Sequence, residues 1–358
     1  PVTRTYLVCR LLLEKKKASG TTLHRHDRIF RLCGRPSTDP RIQALQARLL
    51  EAEDRFEELG SSAGLPALEA AADRLLSDPA TAERGLAAGG VLAVMEGRPR
   101  RWLEIADRLA ALGAEAAERR ALTAAADEPE TSAEAFERLA RRALEAGDAD
   151  ARCDALARRV DAGQPGAEVR RTRLLDLADA LRALALERGE EALDAQAEAA
   201  LLEARALGAD EDTDDALEAL WLDRGDLAGI GRVLGLERLD RLAERARIQG
   251  EVETALAAAS AAVEQADEAE AVDRLRALAA EAEAAGAEAV HVDALSRLHA
   301  RAPADQATFD ALQAACVRAG RFDELLLVVG LAGVESWLTD HPDHPGYPAA
   351  AEALAAHG

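Results

Sequence analysis

Apolar residues along most of this chain recur at helical rather than strand spacing. Phe309, Leu312 and Cys316 fall at i, i+3 and i+7, and Phe322, Leu325, Leu326 and Val329 cover one face of the following segment. Such stretches, of about a dozen residues, alternate with short breakers typical of antiparallel helical hairpins, the clearest being Ser77–Pro79, Asp127–Glu130, Gly163–Gly166, Gly208–Asp212 and Arg301–Asp305. Proline or an N-cap residue in these loops opens the next helix, and glycine closes the turn inside a hairpin. A glycine also follows a core-type residue by eleven positions at Trp102/Gly113, Phe136/Gly147, Leu239/Gly250, Leu275/Gly286 and Phe309/Gly320. Gly113 and Gly147, like Gly286 and Gly320, are 34 residues apart, and Gly250 and Gly286 are 36 apart.

A period of that length is the mark of stacked hairpins, each completing its neighbour's core. Residues 215–236 laid on 310–331 match at eight positions, including Asp215/Asp310, Leu217/Leu312, Gly225/Gly320, Gly235/Gly330 and Leu236/Leu331. The period slips to 42 between Gly147 and Gly189 and to 25 between Gly225 and Gly250, so one hairpin is expected to be truncated. The expected fold class is all-α, an α-solenoid of stacked antiparallel helical hairpins. Four segments are expected: a basic N-terminal segment at 1–37, leading helices at 38–79, a repeat array at 80–335, and a proline-containing loop with a capping helix at 336–358. The first leading helix is predicted to start at Asp39 and Pro40 and to run to about Leu59, where Gly60 stops it.

The array resembles the tetratricopeptide (TPR) family. From a large first-helix anchor that family has leucine three residues on, a small residue at four, glycine at eleven, alanine at sixteen and proline near 28. Anchored at Leu239, this chain supplies Leu242, Ala243, Gly250 and Ala255; Leu275 supplies Leu278, Ala279, Gly286 and Pro303; Trp102 supplies Ile105, Ala106 and Gly113. The chain departs from the family at His291 and Leu325, which replace the second-helix alanine, at Gln313, and in the tyrosine missing seven residues after each anchor. The resemblance spans roughly residues 80–335. It implies a concave groove lined by Glu237, Asp240, Glu244 and Arg247 in one hairpin and by Asp273, Arg276, Ala280 and Glu283 in another. The lysines with which some family members clamp a terminal carboxylate are missing.

Composition agrees with helices: aromatics are 3% of 358 residues, and Ala, Leu, Glu and Arg dominate. The net charge of −22 is uneven, because residues 1–37 carry nine Lys/Arg against two Asp/Glu, and the remaining residues carry 35 against 64. An acidic body repels nucleic acid and anionic membrane and attracts basic partners. The lysines, all at Lys15–Lys17, and Arg25, Arg28 and Arg31 can contact phosphates or an acidic partner, or fold back on the body's own acidic surface. That segment reads as a disordered basic arm, with at most a short strand at Val2–Val8.

Four widely spaced cysteines without CxxC pairing point to a reducing compartment. The longest apolar runs, Leu86–Met95 and Leu325–Val334, are too short to span a bilayer and read as buried helix. Arg10 interrupts Tyr6–Leu13 as a signal-peptide core. Cytoplasmic localisation is expected. A chain beginning at Pro1 has lost an initiator Met or is a piece of something longer.

Gly60-Ser61-Ser62-Ala63-Gly64 satisfies GxSxG, but the hydrolase elbow needs a preceding strand where Arg48–Leu59 reads as helix, so small residues in a loop are the better reading. Asp210, Asp212 and Asp214 imitate an EF-hand start, but Asp215 and Trp221 stand where glycine and a bidentate glutamate are required. Acids at a helix start suffice to explain them. Cys9, His24, His26 and Cys33 supply a zinc-type ligand set at a spacing that fits no common finger. His341 and His344 form a second weak cluster in a proline-rich loop. His291 and His299 lack HExxH spacing, and Gly229, Gly231 and Gly235 miss the dinucleotide fingerprint. No enzyme class, cofactor or metal is expected.

The sequence therefore points to a non-enzymatic scaffold that binds a protein or peptide, basic or amphipathic, on a mainly acidic concave surface through Glu237, Asp240, Glu244, Arg247, Asp273, Arg276 and Glu283. The other reading is a small metal- or nucleic-acid-binding module at 1–37 on a helical regulatory or oligomerising body.

Overall fold

The computed structural model describes residues 40–357. The basic segment, with Cys9, His24, His26 and Cys33, lies outside the described residues. These residues fold into nineteen helices without strands, in two compact units that divide between Ala209 and Asp210.

The first unit holds α1 (Pro40–Ala52), α2 (Phe56–Ala63), α3 (Leu65–Leu75), α4 (Ala82–Glu96), α5 (Arg100–Ala111), α6 (Glu115–Ala126), α7 (Ser132–Ala146), α8 (Ala149–Asp161), α9 (Ala167–Arg188) and α10 (Glu191–Leu207). The second holds α11 (Glu211–Arg224), α12 (Leu227–Leu234), α13 (Leu236–Gln249), α14 (Val252–Gln265), α15 (Glu268–Ala284), α16 (Glu288–Arg301), α17 (Gln306–Ala319), α18 (Phe322–Asp340) and α19 (Tyr347–His357). Within each unit every helix packs on its sequence neighbours, and the closest pairs are the hairpins α3/α4, α5/α6, α7/α8, α9/α10, α13/α14 and α15/α16. Of the residues at the family-pattern positions, Leu239, Leu242, Ala243, Ala255, Leu275, Leu278, Ala279, Ile105 and Ala106 are buried, Trp102 is half-buried and Pro303 is exposed.

Backbone chemistry sets the helix ends. Gly113, Gly147, Gly250, Gly286 and Gly320 each close the turn inside a hairpin in the left-handed region, with φ between 68° and 78°. A Cβ at any of them would meet nothing within 4 Å, so glycine is required there by the backbone alone. Starts are fixed by aspartates: Asp148, Asp210, Asp226 and Asp267 each accept from a backbone N–H three residues on, at 2.9–3.0 Å. The 42-residue slip is taken up by α9, which is 22 residues long. The 25-residue slip corresponds to α12, which has eight.

The same eight-residue helix occurs three times. Residues 56–63, 227–234 and 322–329 each end at a glycine in an extended positive-φ conformation: Gly64 (87°, 162°), Gly235 (90°, 172°) and Gly330 (73°, 174°). That region is essentially closed to other residues. A leucine follows at once in every copy, Leu65, Leu236 or Leu331, and opens the next helical stretch. The residue before each short helix also repeats, Arg55 (−90°, 62°), Asp226 (−87°, 68°) and Arg321 (−92°, 67°). One position earlier stands a left-handed residue: Gly225 and Gly320 in two copies, and Asp54, with φ of 59°, in the other. Asp210 and Asp305, 95 residues apart, both cap by accepting from the N–H of a threonine, Thr213 and Thr308.

Three expectations are corrected. The first helix stops at Ala52, because the left-handed Asp54 breaks it, and not at Gly60. Gly60 is buried inside α2, where a Cβ would lie 2.6 Å from the Met95 sulfur. The GxSxG serines therefore sit in a helix rather than a loop, and Ser61 donates to the Glu57 carbonyl at 2.8 Å. Finally, the two apolar runs are only partly buried: Val94 is 73% exposed and Leu327 is 84% exposed. Their helices are apolar on more than one face, and the second is kinked at Gly330.

Candidate partner-binding surface

The residues expected to line a groove lie on α13 and α15, but most are engaged sideways. Arg274 of α15 holds Asp240 of α13 bidentately at 2.6 and 2.8 Å and also reaches Glu270 at 2.8 Å. Arg247 of α13 holds Glu281 of α15 in the same way, at 2.6 and 2.8 Å, and touches Glu244 at 3.2 Å. These charge-assisted forks hold the Arg274 guanidinium, through Asp240, and the Arg247 guanidinium, through Glu281, more firmly ionised than usual. Arg276 pairs with Asp273 one turn away at 3.1 Å. Glu283 accepts from Arg318 of α17 at 3.3 Å. Glu237 is 88% exposed, and among the described residues only Arg241 reaches it, at the 4.0 Å limit. The structure therefore ties Asp240 to Arg274 and, separately, Arg247 to Glu281 and Glu244, and leaves Glu237 and Asp273 largely exposed.

These pairs belong to a ladder at the repeat spacing. Asp73–Arg108, Asp107–Arg138, Asp240–Arg274, Arg247–Glu281 and Glu283–Arg318 link first helices 31 to 35 residues apart. Glu83–Arg120 and Glu264–Arg297 link second helices 37 and 33 residues apart, and Asp150–Arg188 joins α8 to the end of the long α9. An exposed pair is worth ~0–1 kcal/mol, so the ladder sets register more than stability.

One cluster is buried. Arg238 of α13, 8% exposed, lies among Glu218, Asp215 and Glu211 of α11, and Glu218, 6% exposed, also takes Arg245. Burial opposes the charge on Arg238, but the hydrogen bonds it donates to Glu218, Asp215 and Glu211 outweigh it and stabilise the cation.

A recess in the first unit escaped the sequence reading. It has a volume of about 590 Å³ and is lined by Leu86, Ala87, Val91, Val94 and Met95 of α4 and by Trp102 of α5, with Glu57 and Arg120 as its charged lining residues. Gly90 also lines it, and a Cβ there would lie 2.4 Å from the Trp102 ring. Three glycines in Leu86–Met95 and its flank were the available signal: Gly85, Gly89 and Gly90 receive Leu76, Ile105 and Trp102 against bare helix backbone.

The remaining chemical candidates have structural employment. Asp210 caps α11, and Asp212 and Asp214 lie in its first turn rather than in a loop. His291 is buried beside Arg318 at 3.4 Å, and His299 packs on Phe309. His341 stacks on Trp337 with centroids 5.1 Å apart. Burial raises the thiol of Cys153 and pushes that of Cys316 up to about 11, which leaves both un-ionised near neutral pH. Among the described residues no three His, Cys, Asp or Glu side chains converge as metal ligands, and no helix is long and apolar enough to cross a membrane.

No protein-family model and no curated protein matches the chain. It is similar to a chain of a solved structure described as an APC/C Cut9-Hcn1 hetero-tetramer, at 13% identity and a TM-score of 0.23, over 88% of this chain and 55% of that one. It is also similar to a circular tandem repeat protein described as having a novel repeat topology and enhanced subunit contact surfaces, at 16% identity and a TM-score of 0.14, over 88% and 76%. At such scores neither likeness bears on the fold, which rests on the hairpins, glycine turns and repeated short helices of the chain itself: it is an all-α, TPR-like helical-repeat protein.

Proposed function

We propose that the chain is a non-enzymatic interaction scaffold, and that the α13–α15 face of the second unit receives a basic or amphipathic segment of a partner protein. The observation that carries this reading is the division of labour on that face. Arg247 and Arg274 are spent on holding α13 to α15, whereas Glu237 and Asp273 remain 88% and 80% exposed. Carboxylates left outward on a pinned helix pair form a preorganised surface that attracts cations and steers their approach. The net charge of −22 extends the field in the same sense.

Affinity capture from source cells at low and high salt tests this, run in parallel with a Glu237→Lys/Glu244→Lys/Asp273→Lys variant. The expected result is retention of proteins with basic segments at low salt, lost at high salt and lost by the variant. Equal capture by the variant would overturn the site.

A further inference from the structure

We propose that the apolar recess on α4 is an intramolecular docking site for the chain's own N-terminal apolar run, Tyr6–Leu13. The recess is a different surface, in a different unit, from the acidic face above. Val94 and Met95 project from it at 73% and 41% exposure, although its 590 Å³ would hold several aliphatic side chains. A concavity of that size with one flat aromatic wall fits an apolar segment better than a charged one.

Three features point to this occupant. Tyr6, Leu7, Val8, Leu11, Leu12 and Leu13 form the densest apolar group in residues 1–37, interrupted by a small polar residue type only at Cys9 and by charge only at Arg10. Twenty-six residues separate Leu13 from Pro40, enough to span roughly 85–95 Å when extended. Pro40 opens α1, which packs on α2, and α2 supplies Glu57 and Ser61 to the recess. The tether is therefore long and its root is beside the site, which places the run at a high effective concentration there. Charge is compatible as well: Arg10 and Lys15–Lys17 flank the run, the lining residue Arg120 is paired with Glu83, and the lining residue Glu57 is exposed with no cation within 4 Å among the described residues.

The native Cys9 lies within the run and supplies the probe. In full-length protein carrying Cys33→Ser, Ala87→Cys places an exposed thiol on the recess wall, while the buried Cys153 and Cys316 stay unreactive. Under mild oxidation, peptide mapping should show a 9–87 intramolecular disulfide forming at least about tenfold faster than a bridge to a control cysteine at Glu130→Cys. Adding Val94→Glu, at a position exposed enough to leave the fold intact, should slow the 9–87 bridge several-fold. Equal rates at residues 87 and 130, no effect of Val94→Glu, or bridges only between molecules would each overturn the proposal. The last of these would make a second copy the occupant.

Discussion

Two stretches of this chain use the same backbone device with opposite interiors. In the first unit, Gly64 joins α2 to α3 over an apolar interior of Leu50, Phe56, Leu59 and Leu68. In the second, Gly235 joins α12 to α13 with the same angles, yet the positions 171 residues on from Ala47 and Ala67 are Glu218 and Arg238, a buried ion pair. The packing partners of the short helix correspond nonetheless. Gly60 lies against Met95 and Leu68, and Gly231 lies against Gln265 and Leu239, each partner also 170 or 171 residues on. What the two share is the glycine conformation, the leucine after it and the close approach. The chain thus fixes its helix junctions through the backbone and lets the interior vary.

The largest expected effect breaks the ion pair. Arg238→Met leaves Glu218 buried with the half-exposed Arg245 as its remaining cation, and urea unfolding should show a loss of about 3 kcal/mol. Glu218→Leu combined with Arg238→Met should recover much of that, making copy two resemble copy one. If the single change is silent, the cluster does not hold α11 to α13.

A smaller effect concerns a position that all three copies bury, occupied by Leu50, Trp221 and Cys316. Burial raises the Cys316 thiol to about 11, so the native state keeps its proton where the unfolded chain, near the ordinary thiol value, loses it. The contribution is complete below that ordinary value and disappears as pH rises through about 11, removing on the order of 2 kcal/mol. Cys316→Ala should flatten this alkaline limb of a stability–pH profile, and an unchanged limb would assign it to other groups.

The smallest effect is at the left-handed position before the short helix. Asp54→Gly relieves a strained aspartate but gives up its ion pair with Arg84 at 2.6 Å. Thermal unfolding should show a change within about 1 kcal/mol. A large loss would mean that Asp54 is held for its carboxylate.

These copies were unevenly legible in the sequence. The match of 215–236 to 310–331 exposed two of them, because Gly225/Gly320 and Gly235/Gly330 coincide. The copy in the first unit was hidden: Asp54 replaces the turn glycine, and Gly60, a packing glycine, looked like a helix stop. At the candidate surface, helical phase places Asp240 and Arg247 on α13, but it does not say that they are tied to Arg274 and Glu281. The offset of 34 residues in both pairs, equal to the repeat, was the readable sign. The recess was not readable, since it depends on Trp102 lying over Gly90 from the next helix.

The most direct test compares Gly64→Ala, Gly235→Ala and Gly330→Ala with Gly113→Ala by equilibrium unfolding. A Cβ at Gly235, Gly330 or Gly113 meets nothing within 4 Å, and at Gly64 it makes only an ordinary contact, so backbone strain alone is read. The three junction variants should lose about 2–3 kcal/mol each, and Gly113→Ala, in the left-handed region, about 1 kcal/mol. Junction losses no larger than that of Gly113→Ala would contradict a shared backbone device.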